Sequence, residues 1–192
     1  VEQVGPLITR KTQQLVVAVS PEACRVSGDR KRLVQVVANL LNNAAKYTPV
    51  GGRIGVSVTC TQDHVTLAVT DTGIGMAPDL LARAFDLFAQ GERASDRADG
   101  GLGLGLALVK KLVGLHGGSV FAESEGPGEG GRLAVALPRV AASVERVEED
   151  HEDPRSGILG LRTHVGDVAG VAALADRRVP GDLDPLEGLD LL

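Results

Sequence analysis

Apolar residues recur at helical spacing in the stretch that ends at Tyr47. Leu33, Val37, Leu40, Leu41 and Ala44 fall on one side of the predicted helix and form its core face. At 100° per residue, Asn39, Asn43 and Lys46 gather within about 60° on the other side, with Tyr47 at the edge. Asp29 is placed to cap the start. Thr48-Pro49, then Gly51-Gly52, end the helix. Upstream, residues 15–19 are a β-branched run closed by Ser20-Pro21, which predicts a strand. Downstream, 53–60 and 65–71 alternate and are joined by Thr61-Gln62-Asp63-His64, which predicts a β-hairpin. Between Thr72 and Gly103 the order weakens into glycines, charges and one short apolar helix around 80–88. Residues 104–115 predict a strong second helix, stopped by Gly117-Gly118. Residues 120–123 and 132–137 predict two more strands.

After Pro138 the pattern fails. Residues 145–153 are a charge run, and 176–192 are rich in Asp, Pro, Gly and Leu. The expected organisation is one folded domain over 1–140 and an acidic tail over 141–192 that is mainly disordered. The formal net charge of −5 hides this division: from Glu145 onward there are 12 acidic and 5 basic residues. The domain itself is therefore slightly basic. No basic stripe carries interleaved aromatics, so nucleic acid is not indicated as a partner. A hydrophobic content of 43% supports a real core. No apolar run reaches the length of a membrane span, so no membrane contact is expected. No secretory signal opens the chain. Cys24 and Cys60 lack metal-ligand spacing and are too few for a disulfide framework, so a reducing cytoplasm is the expected setting.

The polar side of the first helix offers carboxamide oxygens and a cation. That suits an anion with a hard metal better than it suits water. Helix-end capping or a structural hydrogen-bond network is the blander reading of its asparagines. Asn43 is the candidate Mg²⁺ ligand, Lys46 a point cation for phosphate, and Tyr47 a ring to pack beside a nucleotide. Asp71-Thr72-Gly73-Ile74-Gly75-Met76 follows a predicted strand. Its carboxylate can accept from an exocyclic amine such as that of adenine, and its glycines allow a flat base to approach. Taken alone, it also reads as a turn after a hairpin. Gly100-Gly101-Leu102-Gly103-Leu104-Gly105 precedes the second helix, where exposed N–H groups and the dipole favour a phosphate. It is neither a Walker loop nor a dinucleotide fingerprint, and alone it could be a flexible loop. Phe85-Asp86-Leu87-Phe88 holds two of the three phenylalanines. It reads as an apolar anchor and as the hinge of a lid between the glycine motifs. Arg93 and Arg97 lie in that lid. His116, at the end of the second helix, suits the dipole there when protonated.

In this order and at this spacing, these motifs resemble the ATP-binding catalytic domain of bacterial two-component sensor histidine kinases. Residues 39–47 resemble the family's asparagine box, 71–75 its first glycine box, 85–88 its phenylalanine box, and 101–106 its second glycine box. The resemblance covers about residues 10–138. The runs 115–118 and 123–128 look especially like hybrid kinases. The resemblance implies an α+β, two-layer α/β sandwich of the Bergerat type, with a mixed sheet covered on one face by helices. It implies Mg-ATP as substrate, with Asn43 on magnesium and Asn43 and Lys46 carrying the catalytic roles. Asn39, Tyr47, Asp71, Gly73, Gly75, Met76, Phe88, Gly101, Leu102, Gly103, Leu104, Gly105 and Leu106 would complete the nucleotide pocket. The implied reaction is γ-phosphoryl transfer to a histidine on a separate dimerisation domain, then onward to a response regulator or receiver domain.

Position 39 discriminates within the superfamily. ATP-hydrolysing members carry a glutamate base one turn before the metal asparagine. Asn39 cannot take a proton at neutral pH, which favours the histidine-directed branch. Three departures stand beside the resemblance. No histidine carries the phosphoacceptor pattern, because His151-Glu152-Asp153-Pro154 places its proline too early; autophosphorylation by this chain alone is not expected. Gly131 and Leu133 stand where the family often has Ser or Thr and then Phe. The tail has no receiver signature. The alternatives carried forward are a non-catalytic nucleotide-binding module, an ATPase switch of the same superfamily, and a purely structural interaction domain.

Overall fold

The computed structural model describes residues 4–20, 24–89 and 103–140, together with the backbone of 165–167. The elements run α1 (Val4–Arg10), β1 (Gln14–Val19), β2 (Arg25–Ser27), α2 (Arg30–Tyr47), β3 (Arg53–Cys60), β4 (His64–Asp71), α3 (Pro78–Ala82), α4 (Gly105–Leu115), β5 (Ser119–Glu123), β6 (Gly131–Pro138) and β7 (Val165–Asp167). A five-stranded sheet has the order β1-β3-β4-β6-β5. β1 and β3 are parallel and the other neighbours antiparallel, so the sheet is mixed. This is the expected α+β sandwich.

Alternation along the strands sends one set of side chains toward the helices. Ile54, Val56 and Val58 of β3, Val65, Leu67 and Val69 of β4, and Leu133, Val135 and Leu137 of β6 form one buried cluster with the helices. α2 contributes Leu33, Val36, Val37, Leu40, Leu41, Ala44 and Ala45, and α4 contributes Val109, Leu112 and Val113. The apolar stripe expected of α2 is therefore buried, and the face bearing Asn39, Asn43, Lys46 and Tyr47 stays half-buried.

Asp29 caps α2 as expected: its carboxylate accepts from the N–H groups of Lys31 at 2.8 Å and Arg32 at 3.3 Å. Those bonds hold its carboxyl below the usual aspartate value. A lowered folded-state value means that the stability it confers is present above the unfolded pKa and is lost as pH falls through the folded one. Asp29→Ala is therefore expected to lower the melting temperature at neutral pH. Melting curves at stepwise lower pH should show the difference closing once the wild-type carboxyl is protonated.

α1 and β2 carry no expectation from sequence. α1 has only seven residues and includes Gly5 and Pro6; β2 has three. The short helix expected around 80–88 is confined to Pro78–Ala82, and turns follow it. Cys24, just before β2, and Cys60, at the end of β3, are joined as a disulfide with Cα atoms 5.9 Å apart. Two cysteines 36 residues apart do not announce such a pairing. Within the tail, β7 pairs antiparallel with β2; the remainder of 141–192 lies outside the described residues. Among the described residues no helix is long and apolar enough to cross a membrane.

Candidate functional site

The polar face of α2 looks onto the start of α4. Asn39 donates through Nδ2 to the carbonyl of Gln35, one turn back, at 2.9 Å. That leaves its Oδ1 directed at Gly105, 3.3 Å from where a Cβ on that glycine would sit. The Asn43 amide nitrogen lies 3.9 Å from the same point. The spacing of four residues thus brings both carboxamides to one place, the first residue of α4. No hydrogen bond among the described residues engages the Asn43 side chain. A half-turn of its amide presents an oxygen in place of the nitrogen.

α4 begins without a side-chain cap: Leu104 occupies the capping position and makes no capping bond. A helix start has N–H groups with no intrahelical partner and a positive dipole end, and both favour an anion. Gly103 turns the chain into this helix at φ +69°, a conformation that side chains resist. A Cβ there would fall 2.9 Å from Cα of Phe88. The phenylalanine motif and the second glycine motif are therefore in contact, joined by a hydrogen bond from the Phe88 N–H to the Gly103 carbonyl at 3.3 Å. Phe88 itself has φ +61° and is 68% exposed. Phe85 is buried and anchors the segment. Leu104 is partly exposed, and Leu106 packs against the core. Gly101, Leu102, Arg93 and Arg97, named from sequence, lie outside the described residues.

Lys46 does not extend freely. Its ammonium sits 4.9 Å from the centroid of the Tyr47 ring, a cation–π contact within one helix turn.

The Asp71 loop forms the other wall. Asp71 Oδ1 accepts from the Gly73 N–H at 2.8 Å. Burial pushes the Asp71 carboxyl above the usual aspartate value, partly opposed by that bond. Asp71 Oδ2 points the other way, 3.7 Å from where a Cβ on Gly131 would sit, and Met76 Cε is 3.3 Å from that same point. The carboxylate, Met76 and Gly131 are neighbours. Gly75 turns at φ +64°.

Sequence reasoning missed what holds this loop. Ser124 Oγ accepts from the Met76 N–H at 3.0 Å and donates to the Gly130 carbonyl at 2.7 Å. The Gly128 and Gly130 N–H groups donate to the carbonyls of Ile74 and Gly73 at 2.7 and 3.1 Å. The loop between β5 and β6 thus clamps the Asp71 loop. The glycine-rich run from Gly126 to Gly131 was the available signal, because it permits close backbone approach. His116 also has a larger role than a dipole partner. Its Nδ1 meets the Leu112 carbonyl at 2.7 Å and its Nε2 accepts from the Asp29 N–H at 3.1 Å. These contacts tie the end of α4 to the start of α2.

No group of three or more His, Cys, Asp or Glu able to hold a metal exists among the described residues. A divalent ion here would rest on a carboxamide oxygen, with water and ligand oxygens filling its shell. That donor set fits Mg²⁺, which keeps several waters and takes few protein ligands.

Comparison with known proteins gives the family of the chain. Residues 28–141 match the family described as histidine kinase-, DNA gyrase B-, and HSP90-like ATPase. The sensor-like histidine kinase SenX3 of Mycobacterium tuberculosis is 40% identical over 136 residues, covering 71% of this chain and 32% of SenX3. The chain thus spans about a third of that relative's length. Among solved structures, the mycobacterial sensor histidine kinase MprB superposes with a TM-score of 0.62 at 34% identity, over 72% of this chain and 91% of that one. Full-length ShkA, solved in complex with AMPPNP, gives a TM-score of 0.63 at 33% identity, over 74% of this chain and 29% of that one. The chain belongs to the histidine kinase-, DNA gyrase B-, and HSP90-like ATPase family, in which SenX3 and MprB, both sensor histidine kinases, are among the proteins it resembles.

Proposed function

We propose that this chain binds Mg-ATP and transfers the γ-phosphoryl group to a histidine on a separate helical dimerisation domain, from which it passes to a response-regulator aspartate. The observation that carries the reading is the convergence of Asn39 and Asn43 on the uncapped start of α4. Two oxygen-bearing amides facing a helix start without a side-chain cap make a site for a metal-bound phosphate chain. Asp71 Oδ2 is the acceptor for the adenine amine, beside Met76 and Gly131. The amides of 103–105 meet the phosphates, with Leu104 and Leu106 flanking them, and Phe88 and Tyr47 border the nucleotide; Gly101 and Leu102, outside the described residues, are assigned to the same motif. Lys46 supplies a cation from the same helix face. Magnesium, when bound through Asn43, neutralises charge that develops on the phosphates.

The chemistry asked of this chain is then positioning and charge neutralisation rather than proton transfer. Asn39 cannot serve as a base, so water is a poor nucleophile here. A neutral imidazole needs no base to become nucleophilic. The acceptor histidine belongs to a segment outside the matched domain. A cytoplasmic setting, where ATP is present, is part of the proposal; the Cys24–Cys60 pair would meet reducing conditions there.

The test is a titration of labelled ATP with and without Mg²⁺, followed by addition of a separately produced, histidine-bearing dimerisation domain. Mg-dependent binding and acid-labile label on that histidine are the expected results. Binding without transfer to any cognate domain would instead favour a regulatory nucleotide-binding module. A second expectation concerns Gly131. The nearest atom to an added side chain is the flexible end of Met76, which can move aside. Gly131→Ser places a hydroxyl beside Asp71 and is expected to tighten ATP binding roughly fivefold, the worth of one hydrogen bond. Calorimetric titration of both proteins checks it.

A further inference from the structure

We infer that Lys11, assisted by Gln13, is a positioning residue that seats the base-binding end of the nucleotide site. The inference rests on the nucleotide reading above. The Lys11 ammonium donates to the carbonyls of Ala45 at 2.9 Å, Lys46 at 2.6 Å and Thr48 at 2.9 Å. An ammonium has three N–H bonds, and here three carbonyls meet them. The buried Gln13 amide adds bonds to Ala45 at 3.0 Å and Thr48 at 2.7 Å. The last carbonyls of a helix have no intrahelical partner and form the negative end of its dipole. Lys11 supplies a cation there from the turn between α1 and β1.

The turn that carries these side chains is itself tied down. Gln13 N–H donates back to the Ile8 carbonyl of α1 at 3.0 Å, and the Lys11 carbonyl accepts from Gly51 N–H at 2.9 Å. Thr12, between them, has φ +48°, which a non-glycine residue adopts only where its surroundings hold it. Both residues precede the matched stretch 28–141.

The braced helix end is also the seat of the Asp71 loop. The Tyr47 carbonyl accepts from the Ile74 N–H at 3.2 Å, and a Cβ on Gly73 would lie 2.7 Å from that oxygen. Gly73 in turn donates to Asp71. A frayed end of α2 therefore displaces the group that reads the base. Asn39 and Asn43 lie further back, on a stretch fixed by buried Leu40, Leu41 and Ala44. Losing the brace loosens the base end, together with the Lys46 backbone that Lys11 also holds, and spares Asn39 and Asn43.

The test compares Lys11→Met, Lys11→Arg and wild type. Calorimetry gives affinities for ATP and for magnesium tripolyphosphate, which has no base, and NMR gives hydrogen exchange at the Ile74 amide. Lys11→Met is expected to weaken ATP roughly tenfold, to weaken tripolyphosphate no more than about threefold, since only Lys46 among its ligands sits on the braced end, and to speed exchange at Ile74. Lys11→Arg, which can still donate to carbonyls, is expected to restore most of the ATP affinity. Equal losses for both ligands, or unchanged ATP affinity with unchanged Ile74 exchange, overturn the inference. If Lys11→Met does not fold, Gln13→Met is read by the same criteria. Wild type that binds neither ligand sinks the nucleotide reading itself, a result distinct from wild type that binds and variants that match it.

Discussion

Asn43→Ala is expected to remove the magnesium-dependent part of ATP affinity. In Mg²⁺ the affinity should fall roughly a hundredfold, about 2.7 kcal/mol, to the level that wild type shows in a chelator. The expectation follows from the site's economy. In the proposed site Asn43 is the residue that offers a side-chain oxygen to the metal, and no carboxylate cluster among the described residues can take over. The folded domain should hardly notice the change. Asn43 is half-buried, and no hydrogen bond among the described residues depends on its side chain. Its melting temperature without nucleotide should match wild type, which separates loss of a ligand from loss of fold. Titrations in Mg²⁺ and in chelator, with a melting curve for each protein, make the check. An affinity that still rises with Mg²⁺ in the variant would place the metal elsewhere.

Asp71→Asn carries the second large effect. Asp71 Oδ1 is taken by the Gly73 N–H, so under the proposed function recognition of the base falls to Oδ2. An amide nitrogen at that position would donate where adenine also donates. The preference for ATP over GTP should collapse by roughly a hundredfold, because a pocket built around one acceptor leaves its polar groups unpaired with the wrong partner. Stability should move in the opposite direction. Burial raises the Asp71 carboxyl value in the folded protein. A raised folded value means that the contribution is favourable below the unfolded pKa and is lost as pH rises through the folded one. At neutral pH the ionised carboxylate therefore costs stability, and Asp71→Asn should melt no lower than wild type without nucleotide. The difference between the two should grow as pH rises through the Asp71 transition. Competition binding with GTP and melting curves across pH measure both arms.

Much of the fold was legible because its larger elements carry period and punctuation together. α2 has a 3.6-residue stripe, an Asp29 cap and a Thr48-Pro49 stop, and it starts and ends where those signals put it. The hairpin strands alternate cleanly, and only the placement of His64 shifted from turn to strand. α1 and β2 escaped because seven and three residues are too few for a period to establish itself. The helix expected around 80–88 ends at Ala82 because the chain goes on in turns and Phe88 takes a φ of +61°, which a helix cannot hold.

At the site, Asn39, Asn43, Asp71 and Gly105 were legible as chemistry. Their convergence was not, since it depends on how α2 lies against α4. The supports were hidden for the same reason. Lys11 acts on carbonyls 34 to 37 residues away. Ser124 reaches across 48 residues to Met76. Backbone carbonyls leave no mark on side-chain patterns, so residues that serve them read as ordinary surface. Lys46 shows the reverse case: its charge was legible, but its contact with the Tyr47 ring needed the helix geometry.

The central claim is that this domain holds an adenine nucleotide through a magnesium ion on α2. A single titration of wild-type protein with ATP, run once in Mg²⁺ and once in chelator, tests it most directly. The account predicts saturable one-to-one binding in Mg²⁺ and a large loss of affinity in chelator. Absence of binding in Mg²⁺, or the same affinity in both, would contradict it.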